Sequence, residues 1–147
     1  MIITQTPLRI SFFGGGTDYM PHYMKYGGCC LSTTIDKYCY LNVRKLPPFF
    51  KHDSHIVYSK VENVCSYNEI QHPVVRECMR LFNLHNLSVV HDADLPARTG
   101  LGTSSAFTVG FLQALHALRG EYVDKMNLAK EAIHMEYDIL KENVGVQ

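Results

Sequence analysis

The segment Pro96-Ala97-Arg98-Thr99-Gly100-Leu101-Gly102-Thr103-Ser104-Ser105-Ala106 restricts the fold of this chain more than any other. It follows a short β-branched run, Leu87 to Val90, and leads into Ser104 to Leu118, a run apolar on most sides that Gly120 is placed to stop. Such a run predicts a buried helix, so the chain must build a sheet for the strand and a layered core around the helix. Gly100 and Gly102 allow the backbone to approach a ligand closely, and the free N–H groups and dipole of the helix start favour an anion there. Thr103, Ser104 and Ser105 supply hydroxyls that cap a helix, bind phosphate oxygens or coordinate Mg²⁺. A glycine turn with a serine N-cap accounts for the same letters without any ligand.

Two better-known phosphate loops fit less well. A Walker loop needs Gly-Lys-Ser/Thr, and no lysine lies between Lys60 and Lys125. The stretch Gly100-x-Gly102-x-x-Ser105 approaches a dinucleotide fingerprint, which requires a second strand after the helix, ending in an acid. Here Gly120-Glu121-Tyr122-Val123-Asp124 leads into another helix, so a nicotinamide enzyme is the weaker reading.

Upstream, Leu8, Ile10 and Phe12 alternate with Arg9, Ser11 and Phe13 as in a half-buried strand, and Gly14 to Gly16 end it. Leu31 to Val43 predicts a long strand, Pro47-Pro48 a break, and His55 to Ser59 a shorter strand. Pro73 suits the first residue of a helix carrying Val74, Val75, Cys78, Met79 and Phe82 at helical spacing. A last helix is expected from an N-cap at Asp124 to about Glu142. With 147 residues and no linker or repeat, residues 1–147 read as one α+β domain. A unit of this size buries roughly 70% of the surface of its unfolded form.

In the last helix Leu128, Ala129, Ala132, Ile133, Ile139 and Leu140 form an apolar stripe about 140° wide, and Glu136 falls in its middle. A buried lone carboxylate must protonate, pair or bind a cation. A salt bridge to Arg9 or Arg98 is the structural account. Mg²⁺ beside nucleotide phosphates is the functional one, because that ion takes one or two carboxylates and shares phosphate oxygens. The nearby phosphate loop favours the ion. In Pro7 to Tyr19 a strand joins a glycine-rich bend, where Arg9 suits a phosphate or carboxylate and Asp18 suits sugar hydroxyls. Taken singly, they read equally well as a surface arginine and a turn aspartate.

Together these segments resemble the GHMP kinases, the family of galactokinase, homoserine kinase, mevalonate kinase and phosphomevalonate kinase. Pro7-Leu8-Arg9 through Asp18-Tyr19 is similar to the first family motif, and Pro96 through Ala106 to the second. Within the family the likeness runs furthest to bacterial kinases of D-glycero-D-manno-heptose 7-phosphate, through Phe13-Gly14-Gly15-Gly16-Thr17-Asp18 and Asp94 to Arg98. Gly15-Gly16-Thr17 stands where galactokinases have Gly-Glu-His, which argues against galactose. The resemblance implies a ribosomal protein S5 domain 2-like fold, a mixed sheet with helices on one side, and ATP with Mg²⁺ as cofactors. It implies γ-phosphoryl transfer to a sugar or sugar phosphate, at the anomeric hydroxyl of a heptose 7-phosphate. Pro96, Gly100, Leu101, Gly102, Thr103, Ser104 and Ser105 would bind ATP, Ser104 (or Thr103) and Glu136 would hold the metal, Arg9 would act in catalysis, and Gly16, Thr17 and Asp18 would bind substrate.

In similar kinases a segment like Asn143 to Gln147 runs into an Asp-Gln that acts on the attacking hydroxyl, followed by a C-terminal domain. The chain is thus expected to be the N-terminal part of a kinase and inactive alone. The alternative is a nucleotide-binding module without catalysis that pairs with a separate C-terminal chain; a second copy is another candidate partner. Lys plus Arg equal Asp plus Glu at 14 each, so no excess positive field draws nucleic acid. The start lacks a signal-peptide pattern and no stretch reaches a membrane span, which makes the cytoplasm the default. Five cysteines without a Cys-x-x-Cys pair read as reduced thiols, and His52-Asp53-Ser54-His55 as a solvated loop rather than a zinc site.

Overall fold

A computed structural model describes residues 1–97 and 99–146; Arg98, one of the two arginines considered as a partner for Glu136, lies outside the described residues. Among these, five strands form one sheet: β1 (Ile2–Phe13), β2 (Leu31–Lys45), β3 (Ser54–Val57), β4 (Val61–Val64) and β5 (Leu87–Ala93), in the order β1-β2-β5-β3-β4. β3 and β5 are parallel and the other neighbours antiparallel. This is the mixed sheet of the expected α+β class.

Register carries the core across the sheet. Ile2 pairs with Val43, Val43 with Val89, and Val89 with Ile56, so one apolar row crosses four strands on the same face. Helix α3 (Thr103–Arg119) lies on β1 and β2 over that face, and α2 (Pro73–Leu81) and α4 (Lys125–Ile133) pack against α3. Gly110 permits the approach: a Cβ there would stand 2.7 Å from Thr6 Oγ1 and 3.1 Å from Thr4 Oγ1. A glycine in a helix interior lowers helix stability by about 1 kcal/mol relative to alanine, and here it is the condition for packing helix on strand. His116 then ties α3 to α4, with Nδ1 3.0 Å from Glu121 and Nε2 2.8 Å from Glu131.

The structure extends or corrects several expected elements. β1 begins at Ile2, and register shifts after Pro7 and Ser11 break its alternation, so Leu8 is buried while Phe12 is exposed. β4 was not expected, because its inward-facing residue is Glu62; that buried carboxylate accepts from Tyr58 Oη and Gln71 N, both at 2.7 Å. The short helix α1 (Met20–Tyr26) buries no residue and so leaves no apolar stripe to read. Asp124 caps α4 as expected, accepting from Met126 N and Asn127 N. The expected single helix to Glu142 is instead α4 followed by a π-helical turn, His134–Ile139. Its buried row is Leu128, Ala132, Met135 and Glu136, with Ala129 and Ile133 exposed. All five cysteines are free, and burial pushes the Cys39 thiol up to about 11.

Candidate active site

Gly100 and Gly102 both adopt the left-handed conformation, with φ of 76° and 75°. Side chains reach this region only under strain, which explains a glycine at each turn of the loop. Gly102 is the N-cap of α3 and offers no side chain to it, so the first amides of the helix remain open to an incoming acceptor. The strand and the loop are tied together: Arg9 N donates to Leu101 O at 3.0 Å. The Arg9 side chain lies over Gly102, with Cγ 3.2 Å and Nε 3.3 Å from where a Cβ would stand. Among the described residues the Arg9 guanidinium makes no ion pair.

These groups open onto a cleft of about 790 Å³. Arg9, Pro96, Gly100, Gly102, Thr103, Ser104 and Ser105 all line it. Leu101 differs from its neighbours, turning inward against the core. Ser104 is exposed, whereas Thr103 Oγ1 is buried without a hydrogen-bond partner among the described residues. The wall away from the glycines is aromatic. His72 stacks on Phe107 at 4.6 Å, and His91 meets the same ring edge-on at 5.1 Å. Burial holds both imidazoles below their ordinary value, so they stand neutral.

Glu136 comes from the π-helical turn, is 5% exposed, and adjoins the cleft through the lining residue Ser105 without lining it itself. Thr108 Oγ1 lies 2.9 Å from Glu136 Oε1, and Ser105 Oγ donates to Oε2 at 3.1 Å. Burial pushes its carboxyl above the ordinary range, opposed by the two hydroxyl hydrogen bonds. Among the described residues no cation pairs with it, and Arg9 in particular does not. No group of three or more His, Cys, Asp or Glu side chains converges among those residues, so an all-protein metal cage is absent there. The donor set does fit Mg²⁺ carried by phosphates: one carboxylate with lone pairs to spare, the unpartnered Thr103 hydroxyl, the exposed Ser104 hydroxyl and open amides.

Of the residues expected to bind substrate, Asp18 lines a second, smaller cleft, and Gly16 and Thr17 do not. Asp18, Tyr23, Gly28, Cys29, Cys30 and Val146 line its 430 Å³. Asp18 is 5% exposed and accepts from Gly16 N at 2.8 Å. The Thr17 hydroxyl lies 2.8 Å from Gly14 O and 3.2 Å from Cys29 O, and accepts from Cys29 N, which braces the glycine bend. Val144 and Gly145 line the main cleft and Val146 the smaller one, so this segment partitions the two. Gly145 packs so closely on Asp18 that a side chain there would collide with the carboxylate.

The structure thus brings Glu136 to the first two turns of α3, just after the glycine loop, and Arg9 over Gly102, and sets Gly16, Thr17 and Asp18 apart from them. The sequence reading missed Thr108, His72 and His91. Thr108 carried a signal, as a polar residue four positions after Ser104 inside an otherwise apolar run.

The model of the GHMP kinases N terminal domain matches residues 68–147, more than half of the chain. The chain is 29% identical over 169 residues to a D-glycero-alpha-D-manno-heptose 7-phosphate kinase of Campylobacter jejuni, covering 99% of this chain and 44% of that protein. It is 26% identical over 149 residues to a mevalonate kinase of Archaeoglobus fulgidus, covering 99% and 48%. A crystal structure of a D-glycero-D-manno-heptose 1-phosphate kinase from Bacteroides thetaiotaomicron superposes with a TM-score of 0.85 at 24% identity, over 100% of this chain and 51% of the other. The chain therefore spans about half the length of these relatives.

Proposed function

This chain belongs to the GHMP kinases, matching their N-terminal domain, and from that premise we propose that it is the nucleotide-binding part of an ATP-dependent sugar kinase. The acceptor in this reading is the anomeric hydroxyl of a heptose 7-phosphate. Pro96 and the Gly100–Ser105 loop take the phosphates at the start of α3, while Glu136 with Ser104 or Thr103 holds Mg²⁺. Bound there, Mg²⁺ would neutralise phosphate charge; in the transfer the hydroxyl oxygen joins the γ-phosphorus as the bond to the bridging oxygen breaks, leaving ADP and the hydroxyl proton. Arg9 stabilises the transferring group, and Asp18, Gly16 and Thr17 hold the sugar from beyond the partition. The catalysis is positioning plus charge stabilisation.

The observation that carries this reading is Glu136. A buried carboxylate held, among the described residues, by neutral hydroxyls in the first two turns of a helix whose start is open to an anion is suited to a cation that arrives with its own anion. The Campylobacter relative supports a heptose 7-phosphate as acceptor. The second reading set out above, a nucleotide-binding module that joins a separate C-terminal chain, shares this site. Calorimetric titration with ATP and Mg²⁺ tests the common core: one-site heat that vanishes in Glu136→Ala is expected, and a folded chain giving no heat contradicts it. Under both readings the chain alone binds nucleotide without turnover, so phosphorylation of heptose 7-phosphate by the chain alone would contradict both.

A further inference from the structure

Thr108 is completely buried in the middle of α3, between the core side chains Phe107 and Phe111. Its hydroxyl lies 2.9 Å from Glu136 Oε1 and 3.2 Å from the Ser104 carbonyl. A hydroxyl has one proton, and an ionised carboxylate is the stronger acceptor of the two. Ser105, three residues earlier on the same side of α3, serves the other carboxylate oxygen at 3.1 Å. Each oxygen of Glu136 therefore receives one hydroxyl and keeps further lone-pair directions free.

We infer that Thr108, together with Ser105, is a positioning residue that fixes the Glu136 carboxylate for the metal that accompanies the nucleotide. A structural buried carboxylate is ordinarily matched by a cation, which would cancel its charge. Among the described residues the holding groups are neutral, so they orient the carboxylate without neutralising it. Orientation matters because Mg²⁺ accepts only near-octahedral geometry at short distances, whereas a glutamate side chain carries three rotatable bonds. Threonine suits this role because its branched Cβ restricts χ1, so packing of the methyl group in the core also aims the hydroxyl. Loss of such an outer partner weakens metal binding by about 10–100-fold in metalloproteins.

The inference rests on the nucleotide reading above, and its test keeps the two apart. ATP is titrated calorimetrically into the wild-type chain, Thr108→Val, Thr108→Ser and Ser105→Ala, with Mg²⁺ varied from chelated to saturating. Thr108→Val keeps the shape and removes the hydroxyl, and is expected to need about 10–100-fold more Mg²⁺ for the same nucleotide affinity. Its affinity for metal-free ATP should stay at the wild-type level, and Thr108→Ser should restore the Mg²⁺ response. Should Thr108→Val not fold, Ser105→Ala, at a half-buried position, is expected to need about 10–100-fold more Mg²⁺ in addition to the metal-free affinity it loses as a phosphate-loop residue. Wild-type Mg²⁺ dependence in Thr108→Val, or in Ser105→Ala where the valine variant does not fold, overturns the inference alone. So does an equal loss with and without metal. A wild-type chain whose ATP affinity ignores Mg²⁺ overturns the nucleotide reading and the inference with it.

Discussion

Substituting Gly102 by alanine perturbs two things that the structure allows to be separated. At φ 75° an alanine carries strain of about 1–2 kcal/mol. About 0.4–1 kcal/mol of that is offset because alanine narrows the unfolded ensemble. The net loss of stability is about 1 kcal/mol, which lowers Tm by roughly 2–4 °C in a domain of this size. The new Cβ also stands 3.2 Å from Arg9 Cγ and 3.3 Å from Nε, so the flexible arginine stem must yield by a few tenths of an ångström and shift its guanidinium over the loop. A hydrogen bond to a charged group contributes about 1.5–3 kcal/mol, so ATP affinity should fall, by at most about a hundredfold. A double-mutant cycle with Arg9→Ala isolates the second effect. Thermal unfolding should show the same stability loss in both backgrounds, because strain at residue 102 does not involve Arg9. Calorimetry should show the affinity loss only where Arg9 is present. Affinity losses that simply add would refute the argument that Arg9 acts from its position over Gly102.

Two further predictions concern pH. Burial raises the folded-state pKa of Glu136 above its ordinary 4.5, so the stability it contributes is full below that value and is lost as pH rises through the raised one. Glu136→Gln should therefore stabilise the ligand-free chain at neutral pH and remove this decline; a lower Tm than wild type at pH 7 would contradict the burial argument. His72 and His91 act in the opposite sense. Their folded-state values lie below 6.5, so the stability they contribute above that pH is lost as pH falls through and below it. A His72→Phe, His91→Phe double variant should show a flatter Tm between about pH 7 and pH 5 than the wild type.

The parts of the fold written in periodic apolar residues were legible in the sequence. The stop at Gly120 is found in the structure with φ 75°, and the cap at Asp124 is found with its side chain on two amides. The inward direction of Glu136 was readable because one charge interrupted an apolar stripe, although the π-helical turn rotates that stripe onto Met135 and Glu136. Legibility failed where a polar residue faces inward to meet a tertiary partner. Glu62 concealed β4 because its burial depends on Tyr58 and Gln71, and no local pattern signals that pairing. Thr108 was overlooked because its partner lies 28 residues away. The bend at Gly14–Thr17 was legible as a bend, but its bracing on Cys29 arises only when β1 and β2 pair.

Paramagnetic relaxation from Mn²⁺ bound with ATP to the wild-type chain tests the account most directly, because broadening of amide resonances falls steeply with distance from the ion. The account predicts that amides of Gly100 to Ser105 and of Glu136 broaden first at low Mn²⁺, and that Glu136→Ala abolishes the effect while the chain stays folded. Broadening centred elsewhere, such as the Gly28–Cys30 side of the smaller cleft, or unchanged in Glu136→Ala, would contradict it.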